Sequence, residues 1–399
     1  MIRVIVSSGG PFHAYHLARG AQFAGYLKRF LTTVFDGSQA GLDMRLTRQI
    51  KLPAALAIGV RAVPAPGALY WSYFLGDNLF DVLARRWIDE CEYFHAFNNY
   101  GLYSMRKARG LGATVIVERS AGHPVYVDRL LRDEYAKWGL RLPPSHRWLL
   151  RKQVQEFVEA DYIMVPSEFV WRTMVEEGVP ESKLVRVHLG FDPGRFAPEA
   201  GGQRDDTFRV LYVGVLSLQK GLPYLLEAFR RLHLSRSELL LVGDLSVEAR
   251  AFLPKYDGLF RHVRFVPQSD LPAYYHSASV FVLPSLQDGF GMVVYEAAGC
   301  GLPVIITENV GANVRDGVDG FVVPIRDTEA LTEKLLYLHE HPAERAAMGR
   351  AAQAHLSQWT WSAYHAELAG HYRALRINPR SATQTPADPS RAMGAGRAH

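Results

Sequence analysis

Short apolar segments, rich in β-branched residues, alternate along this chain with longer stretches in which apolar residues recur at helical spacing. This alternation is typical of a parallel sheet that is covered by helices on both faces. Strands are predicted in two sets: 2–6, 92–97, 114–117 and 162–165 in the first half, and 209–213, 238–242, 263–266, 280–283 and 303–306 in the second. Each set predicts one doubly wound α/β domain, and two such domains facing each other would form a cleft.

A polar segment, residues 196–206, separates the two sets of strands and is rich in proline and glycine, as linkers are. We therefore expect a first domain over residues 1–195 and a second over residues 207–356. An aromatic-rich closing helix is predicted over 357–375, which either packs into the adjacent core or returns to the first domain. The tail, 376–399, is rich in Pro, Ser, Ala and Arg without periodic apolar positions, which predicts disorder.

The composition is that of a packed soluble protein, with 48% of the 399 residues hydrophobic and 21% charged. Cys91 and Cys300 supply no disulfide framework and fit a reducing compartment. The chain enters a strand at once, without the apolar leader of a secreted protein. No run approaches the roughly 20 apolar residues that span a bilayer. We expect a cytoplasmic protein.

The net charge of +5 is mild, but basic residues cluster in the first half of the chain. Apolar and aromatic residues lie among them, at Leu52, Trp71, Tyr73 and Phe74. This mixture fits two interpretations, a solvated basic face or a surface that rests on an anionic membrane. Nucleic acid is not expected, because the chain has no recognised module that binds it. The basic cluster comprises Lys28, Arg29, Arg45, Arg48, Lys51, Arg61, Arg85 and Arg86.

The second half opens with a strand that ends at Gly214, followed by a loop and a helix whose leucines recur at helical spacing from Leu222. The loop brings Lys220 and Gly221 to the helix N-terminus. Unpaired amides there, the helix dipole and the lysine ammonium would together receive a diphosphate. A lysine before a helix is also an ordinary surface feature, so this segment is not decisive by itself.

The segment 286–304 carries two carboxylates, Asp288 and Glu296, around the turn Gly289-Phe290-Gly291. If a helix begins near Phe290, Glu296 lies about 9 Å along it while Asp288 remains at its mouth. Two separated acceptors suit one ligand with two hydroxyl-bearing parts. A sugar nucleotide fits, with Glu296 on the ribose, Asp288 and the turn on the transferred sugar, and Lys220 on the diphosphate. Taken singly, either carboxylate also fits a helix cap or a surface acid.

In order along the chain, these segments resemble the donor half of family 4 retaining glycosyltransferases, the glycosyl transferases group 1. The lysine loop matches at Gly214 and Lys220-Gly221, and the two acids resemble the family's pair separated by seven residues. Further matches are VPSEF at 165–169, HLGFD at 188–192 and DGVDGFVVP at 316–324. The resemblance implies the GT-B fold, two Rossmann-like domains around a central cleft. It also implies that a hexose is transferred from a nucleoside-diphosphate sugar with retained anomeric configuration.

Two positions depart from the family's pattern. Members commonly carry arginine after the glycine that matches Gly214, to bind diphosphate beside the lysine, whereas this chain has Val215. The first acid is usually glutamate, whereas here it is Asp288, one methylene shorter. A catalytically weak sugar-nucleotide-binding protein therefore stays an alternative. In this fold the nucleotide base contacts mainly backbone, which we expect near Val266.

Candidate residues of the first half follow predicted strands, where ligands of open α/β sheets collect. Gly9, Gly10 and His13 follow the first strand, and the resemblance implies that their loop faces the diphosphate or the acceptor. His123 is expected to point toward the cleft and resembles the family's cleft histidine, thought to contact the transferred sugar. Acceptor-side candidates are Asn98, Glu118 and Arg119, the last two also as a supporting ion pair.

The candidate catalytic residues are His123, Lys220 and Asp288. Lysine and amides would stabilise the departing diphosphate, and the resemblance implies front-face attack, with that phosphate helping to remove the acceptor proton. No metal or cofactor is expected, because Asp205-Asp206 lies in the linker and no other pair suggests a Mg²⁺ site. UDP- and GDP-sugars are both open as donors. The acceptor is expected to be a cell-surface glycan or glycolipid, with the enzyme cytoplasmic or peripheral on the inner membrane face. A transferase or synthase of a small soluble metabolite is the alternative.

Overall fold

The computed structural model describes residues 2–11, 13–35, 41–63, 68–142, 146–199 and 206–375. The predicted tail, 376–399, lies outside the described residues. Within them the chain forms two parallel sheets, one after the other in sequence.

The first sheet comprises β1 (Val4–Ser8), β2 (Leu27–Thr32), β3 (Thr47–Gln49), β4 (Tyr93–Phe97), β5 (Thr114–Glu118), β6 (Tyr162–Val165) and β7 (Leu184–Arg186). Its strands are parallel and lie in the order β3-β2-β1-β4-β5-β6-β7. Its helices are α1 (Ala14–Phe23), α2 (Leu52–Arg61), α3 (Ala68–Ala84), α4 (Leu102–Gly110), α5 (Pro124–Lys137), α6 (His146–Glu159) and α7 (Glu168–Glu176).

The second sheet comprises β8 (Phe208–Val213), β9 (Ser237–Val242), β10 (Arg261–Val263), β11 (Val280–Leu283), β12 (Val304–Thr307) and β13 (Gly320–Val323). It is also parallel, in the order β10-β9-β8-β11-β12-β13. The helices that follow β8 are α8 (Leu222–Leu232), α9 (Ala249–Phe252), α10 (Leu271–His276), α11 (Met292–Gly299), α12 (Thr328–Glu340), α13 (Pro342–Leu356) and α14 (Trp361–Ala374).

The strand order reverses at the same point in both sheets. The chain moves outward from β1 through β2 to β3, then returns to β4 on the other side of β1, and β8 to β11 repeat this path. A crevice therefore opens at the carboxyl ends of β1 and β4, and another at those of β8 and β11. The loops that carry Gly9-Gly10, Asn98, Lys220 and Asp288 follow these four strands, and the segment with Arg119 and His123 follows β5.

The prediction of two doubly wound parallel-sheet domains is confirmed. The strand predicted over 263–266 is misplaced, since β10 ends at Val263. Four strands were not predicted: β2, β3, β7 and β13. β2 looks polar in sequence because it carries Lys28 and Arg29, which pair with Asp89 at 3.1 and 3.0 Å. The exact limits of the domains stay a prediction.

The closing helix returns to the first domain, which was one of the two alternatives for it. α14 packs against α1, and its buried Tyr372 contacts Nδ1 of His95 on β4 at 2.7 Å. The hydroxyl of Tyr93 donates to the carbonyl of Leu375 at 2.7 Å, just beyond the end of α14. The chain after the second sheet therefore straps the two domains together.

We predict that Leu368→Ala weakens this strap. Leu368 is fully buried on α14, so its truncation should lower the free energy of unfolding by about 3 kcal/mol. Urea denaturation measures the loss, and Val318→Ala, at a side chain that is 46% exposed in the second domain, is the control. A loss no larger than that of the control would contradict the packing of α14 on the first domain.

Candidate functional site

The lysine loop joins β8 to α8 and touches the segment that follows β11. Gly221 caps α8 in the left-handed conformation, with φ of 65°. A Cβ at this position would overlap the carbonyl oxygen of Pro284, so only glycine allows the two segments to meet. Lys220 is thereby fixed beside the segment that carries Asp288.

The expectation of free amides at the start of α8 is wrong for its first turn. The amide of Gly221 donates to Leu218 at 2.9 Å and that of Leu222 donates to Ser217 at 3.4 Å, while Pro223 has no N–H. The loop therefore offers an ammonium and a helix dipole rather than a row of unpaired amides.

Asp288 lies just before the N-terminus of α11, as predicted. The helix begins at Met292, two residues after the expected start near Phe290. One of its carboxylate oxygens accepts from the amides of Phe290 and Gly291 at 3.4 and 3.0 Å. Its backbone is held by the loop after β12, at 2.9 Å to Asn309 and 2.8 Å to Gly311. Hydrogen bonds thus hold both the backbone of Asp288 and one of its carboxylate oxygens in place.

Lys220 and Asp288 meet directly. The lysine Nζ lies 2.5 Å from the second carboxylate oxygen of Asp288, and the two side chains are 24% and 17% exposed. The sequence placed these residues at neighbouring parts of one ligand, and the fold brings them into one half-buried ion pair. Water reaches the pair, so an entering anion can compete for the ammonium.

Glu296 lies farther along α11 and is 4% exposed. Burial raises the pKa of this carboxyl, against the smaller opposing effects of the Tyr275 hydroxyl at 2.9 Å and of Arg195. Arg195 also donates to Gln268 at 2.9 Å, two residues after the half-buried Val266. The guanidinium of Arg195 therefore acts electrostatically on Glu296 and is hydrogen-bonded to the loop predicted to receive the base. Sequence reasoning missed Tyr275 and Arg195, although Arg195 closely follows the HLGFD match.

The donor turn, defined as residues 288–291, packs against the first domain. The hydroxyl of Ser167 donates to the carbonyl of Gly289 at 2.6 Å. A Cβ on Gly289 would overlap the carbonyl oxygen of Ser120, so this contact also requires glycine. The turn therefore lies at the boundary of the two domains, where the cleft was predicted.

Asn309 forms a second link across this boundary. Its side-chain oxygen accepts from Arg172 at 2.9 Å, and its amide donates to the hydroxyl of Tyr126 at 3.3 Å and to the carbonyl of Leu286 at 2.9 Å. Next to it lies an interdomain cavity of about 230 Å³, whose lining includes Phe169 and Gly311. No sequence pattern marked Asn309, because its role depends on residues more than a hundred positions away.

The glycine loop of the first domain is held rigidly. The hydroxyl of Ser8 donates to the carbonyl of Gly10 at 2.7 Å, and that of Thr33 donates to the carbonyl of Gly9 at 2.7 Å. The ring of Tyr100 covers Gly9. The loop thus follows β1 in a fixed shape at the crevice of the first sheet.

Glu118 is bound by two histidines, and the predicted ion pair with Arg119 is wrong. Its carboxylate lies 2.9 Å from Nε2 of His13 and 3.1 Å from Nε2 of His95, and Glu118 is 2% exposed. Burial would raise the pKa of this carboxyl, but hydrogen bonds with His13 and His95 outweigh that effect and lower it to about 2. His13 and Glu118 are therefore joined in the interior beneath α14.

Arg119 supports the loop that contacts the donor turn. Its guanidinium donates to the carbonyl of Gly122 at 2.7 Å and to the side-chain oxygen of Asn98 at 3.0 Å. Asn98 in turn donates to Glu156 at 2.7 Å. Burial lowers the pKa of Arg119 to about 10 and raises that of Glu156 to about 7. These contacts hold residues 120–122 in place, and a direct role of Asn98 or Arg119 toward an acceptor stays a prediction.

His123 caps the N-terminus of α5. Its Nδ1 accepts from the amide of Val125 at 3.3 Å, and its ring lies 5.5 Å from that of Phe157. His123 is 3% exposed, and burial, with Arg119 and Arg129, lowers its pKa to about 3. The ring is therefore neutral and packs within the first domain. Its catalytic role stays a prediction.

Val215, where the family commonly has arginine, is 48% exposed beside Gly214. Within the described residues, no group of three His, Cys, Asp or Glu side chains could hold a metal ion. In the same part of the chain, no helix is both long and apolar enough to cross a membrane. The expectation of a metal-independent reaction stays a prediction.

Residues 207–341, which include Lys220, Asp288 and Glu296, match the family model of Glycosyl transferases group 1. Similar curated proteins have related names. The D-inositol 3-phosphate glycosyltransferase of Kribbella flavida is 30% identical over 55% of this chain and 57% of its own length. The GDP-mannose-dependent alpha-(1-6)-phosphatidylinositol monomannoside mannosyltransferase of Mycolicibacterium smegmatis is 28% identical over 66% and 71%. The first of these matches thus spans little more than half of the relative. The resemblance to group 1 glycosyltransferases is confirmed.

The fold extends over nearly the whole chain. The sucrose-phosphate synthase of Thermosynechococcus elongatus superposes with a TM-score of 0.70 at 19% identity, covering 93% of this chain and 98% of that one. Together with the two doubly wound sheets, this similarity establishes the GT-B fold.

We predict that Glu118→Gln destabilises the protein at neutral pH and much less in acid. The pKa of Glu118 lies near 2 in the folded chain and at an ordinary carboxyl value in the unfolded chain, so its stabilising effect is present above about pH 4.5 and is lost as the pH falls toward 2. Urea denaturation at about pH 7 should give a loss of about 3 kcal/mol, of which more than half disappears at about pH 3. Glu344→Gln, at an exposed position of α13, is the control. A loss independent of pH would contradict the depressed pKa.

Proposed function

We propose that the chain is a retaining, metal-independent glycosyltransferase that moves a hexose from a nucleoside-diphosphate sugar to an acceptor hydroxyl. The proposal rests on the ion pair between Lys220 and Asp288 at the N-termini of α8 and α11. The lysine Nζ lies 2.5 Å from a carboxylate oxygen of the aspartate. These residues come from different loops of the second sheet, and they meet at the crevice of a GT-B fold. The match of residues 207–341 to group 1 glycosyltransferases supports the same reaction class.

The donor diphosphate is proposed to bind by replacing Asp288 as the partner of Lys220. Without ligand, Asp288 neutralises the half-buried ammonium of Lys220. A diphosphate carries more negative charge than a carboxylate and competes for the same ammonium. Its entry releases one oxygen of Asp288 toward the hydroxyls of the transferred sugar, while the amides of Phe290 and Gly291 keep the other in place.

Glu296 is suited to the nucleoside end of the donor. Tyr275 donates to one of its oxygens, so the other can accept from ribose hydroxyls. Arg195 and Gln268 extend this region toward the loop that follows β10, where the base would lie against backbone.

The charge on the leaving diphosphate is the main barrier that the site must lower. Lys220 and the dipole of α8 oppose that charge, which removes the need for a metal ion. Asp288 is assigned to the hydroxyls of the transferred sugar, with its other oxygen held by the amides of Phe290 and Gly291, so no carboxylate in this proposal acts as a nucleophile behind the anomeric carbon. Front-face attack, with the leaving phosphate accepting the acceptor proton, fits these contacts and retains the anomeric configuration.

The acceptor is proposed to belong to a cell-surface polysaccharide or glycolipid. The name of the mycolicibacterial relative, a phosphatidylinositol monomannoside mannosyltransferase, supports a lipid-linked acceptor and a GDP-sugar. The names of the inositol-phosphate transferase and of sucrose-phosphate synthase favour the second candidate, a small soluble acceptor. We place the protein in the cytoplasm, with access to the inner membrane face. A weak sugar-nucleotide-binding protein is the third candidate because of Val215 and Asp288.

We predict that UDP- or GDP-sugars raise the melting temperature of the protein and are slowly hydrolysed by it. A donor at about a hundredfold excess over its dissociation constant adds about 2.7 kcal/mol to stability. Lys220→Ala should weaken binding of the nucleoside diphosphate about tenfold to hundredfold, because a charge-assisted contact is lost, while binding of the nucleoside changes little. Thermal unfolding and released nucleotide are the two measurements.

Lys334→Ala, which removes another ion-paired lysine of the same domain, is the matched control. Equal losses for nucleoside and nucleoside diphosphate would contradict the assigned role of Lys220. Binding without turnover, even with mixed glycan and lipid acceptors, would favour the third candidate. Inhibition of a donor-saturated enzyme by a chelator would contradict metal independence.

We predict that Val215→Arg strengthens donor binding. The side chain at this position is 48% exposed beside the lysine loop, so an arginine can be accommodated and would add a second cation for the diphosphate. The dissociation constant of the nucleoside diphosphate should fall about fivefold in calorimetric titration. Val247→Arg, at a valine that is 78% exposed in the same domain, adds the same charge elsewhere. Equal effects of the two variants would mean that residue 215 does not face the diphosphate.

A further inference from the structure

The helix pair formed by α2 and α3 exposes an unusual amount of apolar surface. α2 contains no polar side chain before Arg61, and Pro53 is its one buried residue. A helix that is apolar on all sides is normally buried. Here the exposed fractions are 60% for Leu52, 69% for Ile58 and 44% for Trp71. The other large apolar residues exposed in this region are Met44, Leu56, Val63, Tyr73, Leu75 and Val82.

Cations predominate on this region, because the acids of α3, Asp77 and Asp81, contact Asn99 and the buried Lys152. Residues 44–76 contain four cations and no acidic residue. Within the described part of the chain, none of the four forms an ion pair, although Arg48 and Arg61 lie over the rings of Trp87 and Tyr73. The four cations are Arg45, Arg48, Lys51 and Arg61.

The helix pair lies at the edge of the first sheet that carries the cleft. The backbone amide of Ile50 donates to the carbonyl of Thr32, which continues the pairing of β3 with β2 past the carboxyl end of β3. α2 begins two residues later. On α3, Asp77 accepts from the side chain of Asn99, which follows the carboxyl end of β4. The exposed apolar surface is therefore on the same edge as the loop Gly9-Gly10.

We propose that α2 and α3 form a docking surface for an anionic lipid bilayer, on which α2 lies with its apolar side chains between the headgroups. Exposed leucine, isoleucine and tryptophan enter the headgroup boundary, and the unpaired cations contact lipid phosphates. The surface lies on the membrane rather than spanning it. That the cleft thereby opens toward a lipid-linked acceptor rests on the proposed function, whereas the docking itself does not.

The charge decides between a bilayer and a second copy of the chain. Pairing two such faces would oppose two sets of four cations without an acid between them, and the desolvated repulsion would be unfavourable. An anionic bilayer meets the apolar side chains and the cations together. Each lysine or arginine near such a surface contributes to binding, and salt screens that contribution.

The test is co-sedimentation of the full chain with vesicles of phosphatidylcholine, with and without about a third of phosphatidylglycerol, a composition that carries the surface charge the cations require. At low salt, the protein should pellet with the anionic vesicles, and less at high salt. Ile58→Glu and the double variant Arg45→Ser/Lys51→Ser should each weaken partitioning about tenfold or more. All three side chains are exposed, and thermal unfolding checks that the variants are folded.

Matched controls separate this surface from general effects of charge. Val247→Glu changes an exposed valine of the second domain, and Arg250→Ser/Arg350→Ser removes two exposed cations there. Neither should change partitioning by more than about twofold. Three results would overturn the proposal: equal pelleting with neutral vesicles, equal effects of test and control variants, or a dimer in solution that Ile58→Glu dissociates. No substrate is present in these measurements, so their outcome is independent of whether the chain transfers sugar.

Discussion

The candidate site depends on close backbone approach between segments that are distant in sequence. Gly221 meets the carbonyl of Pro284, and Gly289 meets that of Ser120, at distances that leave no room for a Cβ atom. The first contact brings Lys220 to Asp288 within the second domain, and the second seats the donor turn on the first domain. A larger residue at either position would separate groups to which the proposed function assigns one ligand.

Charges in the interior of the first domain serve to hold this arrangement. Glu118 is bound by His13 and His95, and Arg119 is committed to Asn98 and to the loop of Gly122. Buried charged groups that are hydrogen-bonded are costly to separate from their partners, so these groups keep fixed positions. The polar side chains nearest to the cleft on this side therefore shape the loops that face the donor turn. On the donor side of the cleft, in contrast, solvent can reach the ion pair between Lys220 and Asp288.

The sequence predicted the fold well, because the fold depends on local patterns. Runs of β-branched residues marked the buried strands, and glycines near Lys220 and Asp288 marked the turns. The contacts of His123, Glu118 and Arg119 were harder to predict, since all three follow a strand at the cleft edge and the sequence does not tell which neighbour each side chain meets. Asn309 and Tyr275 could not be found at all, because their partners come from other elements of the fold.

The distribution of paired and unpaired cations separates two kinds of surface on this molecule. Near the domain boundary, Lys220 is paired with Asp288, whereas Arg119 and Arg172 donate to the side-chain oxygens of Asn98 and Asn309. Among the residues that the structure describes, the cations of 44–76 have no acidic partner, and they lie among exposed apolar side chains. A partner that neutralises those cations would allow the apolar side chains to leave water as well, and that coupling favours an anionic lipid surface over a neutral one.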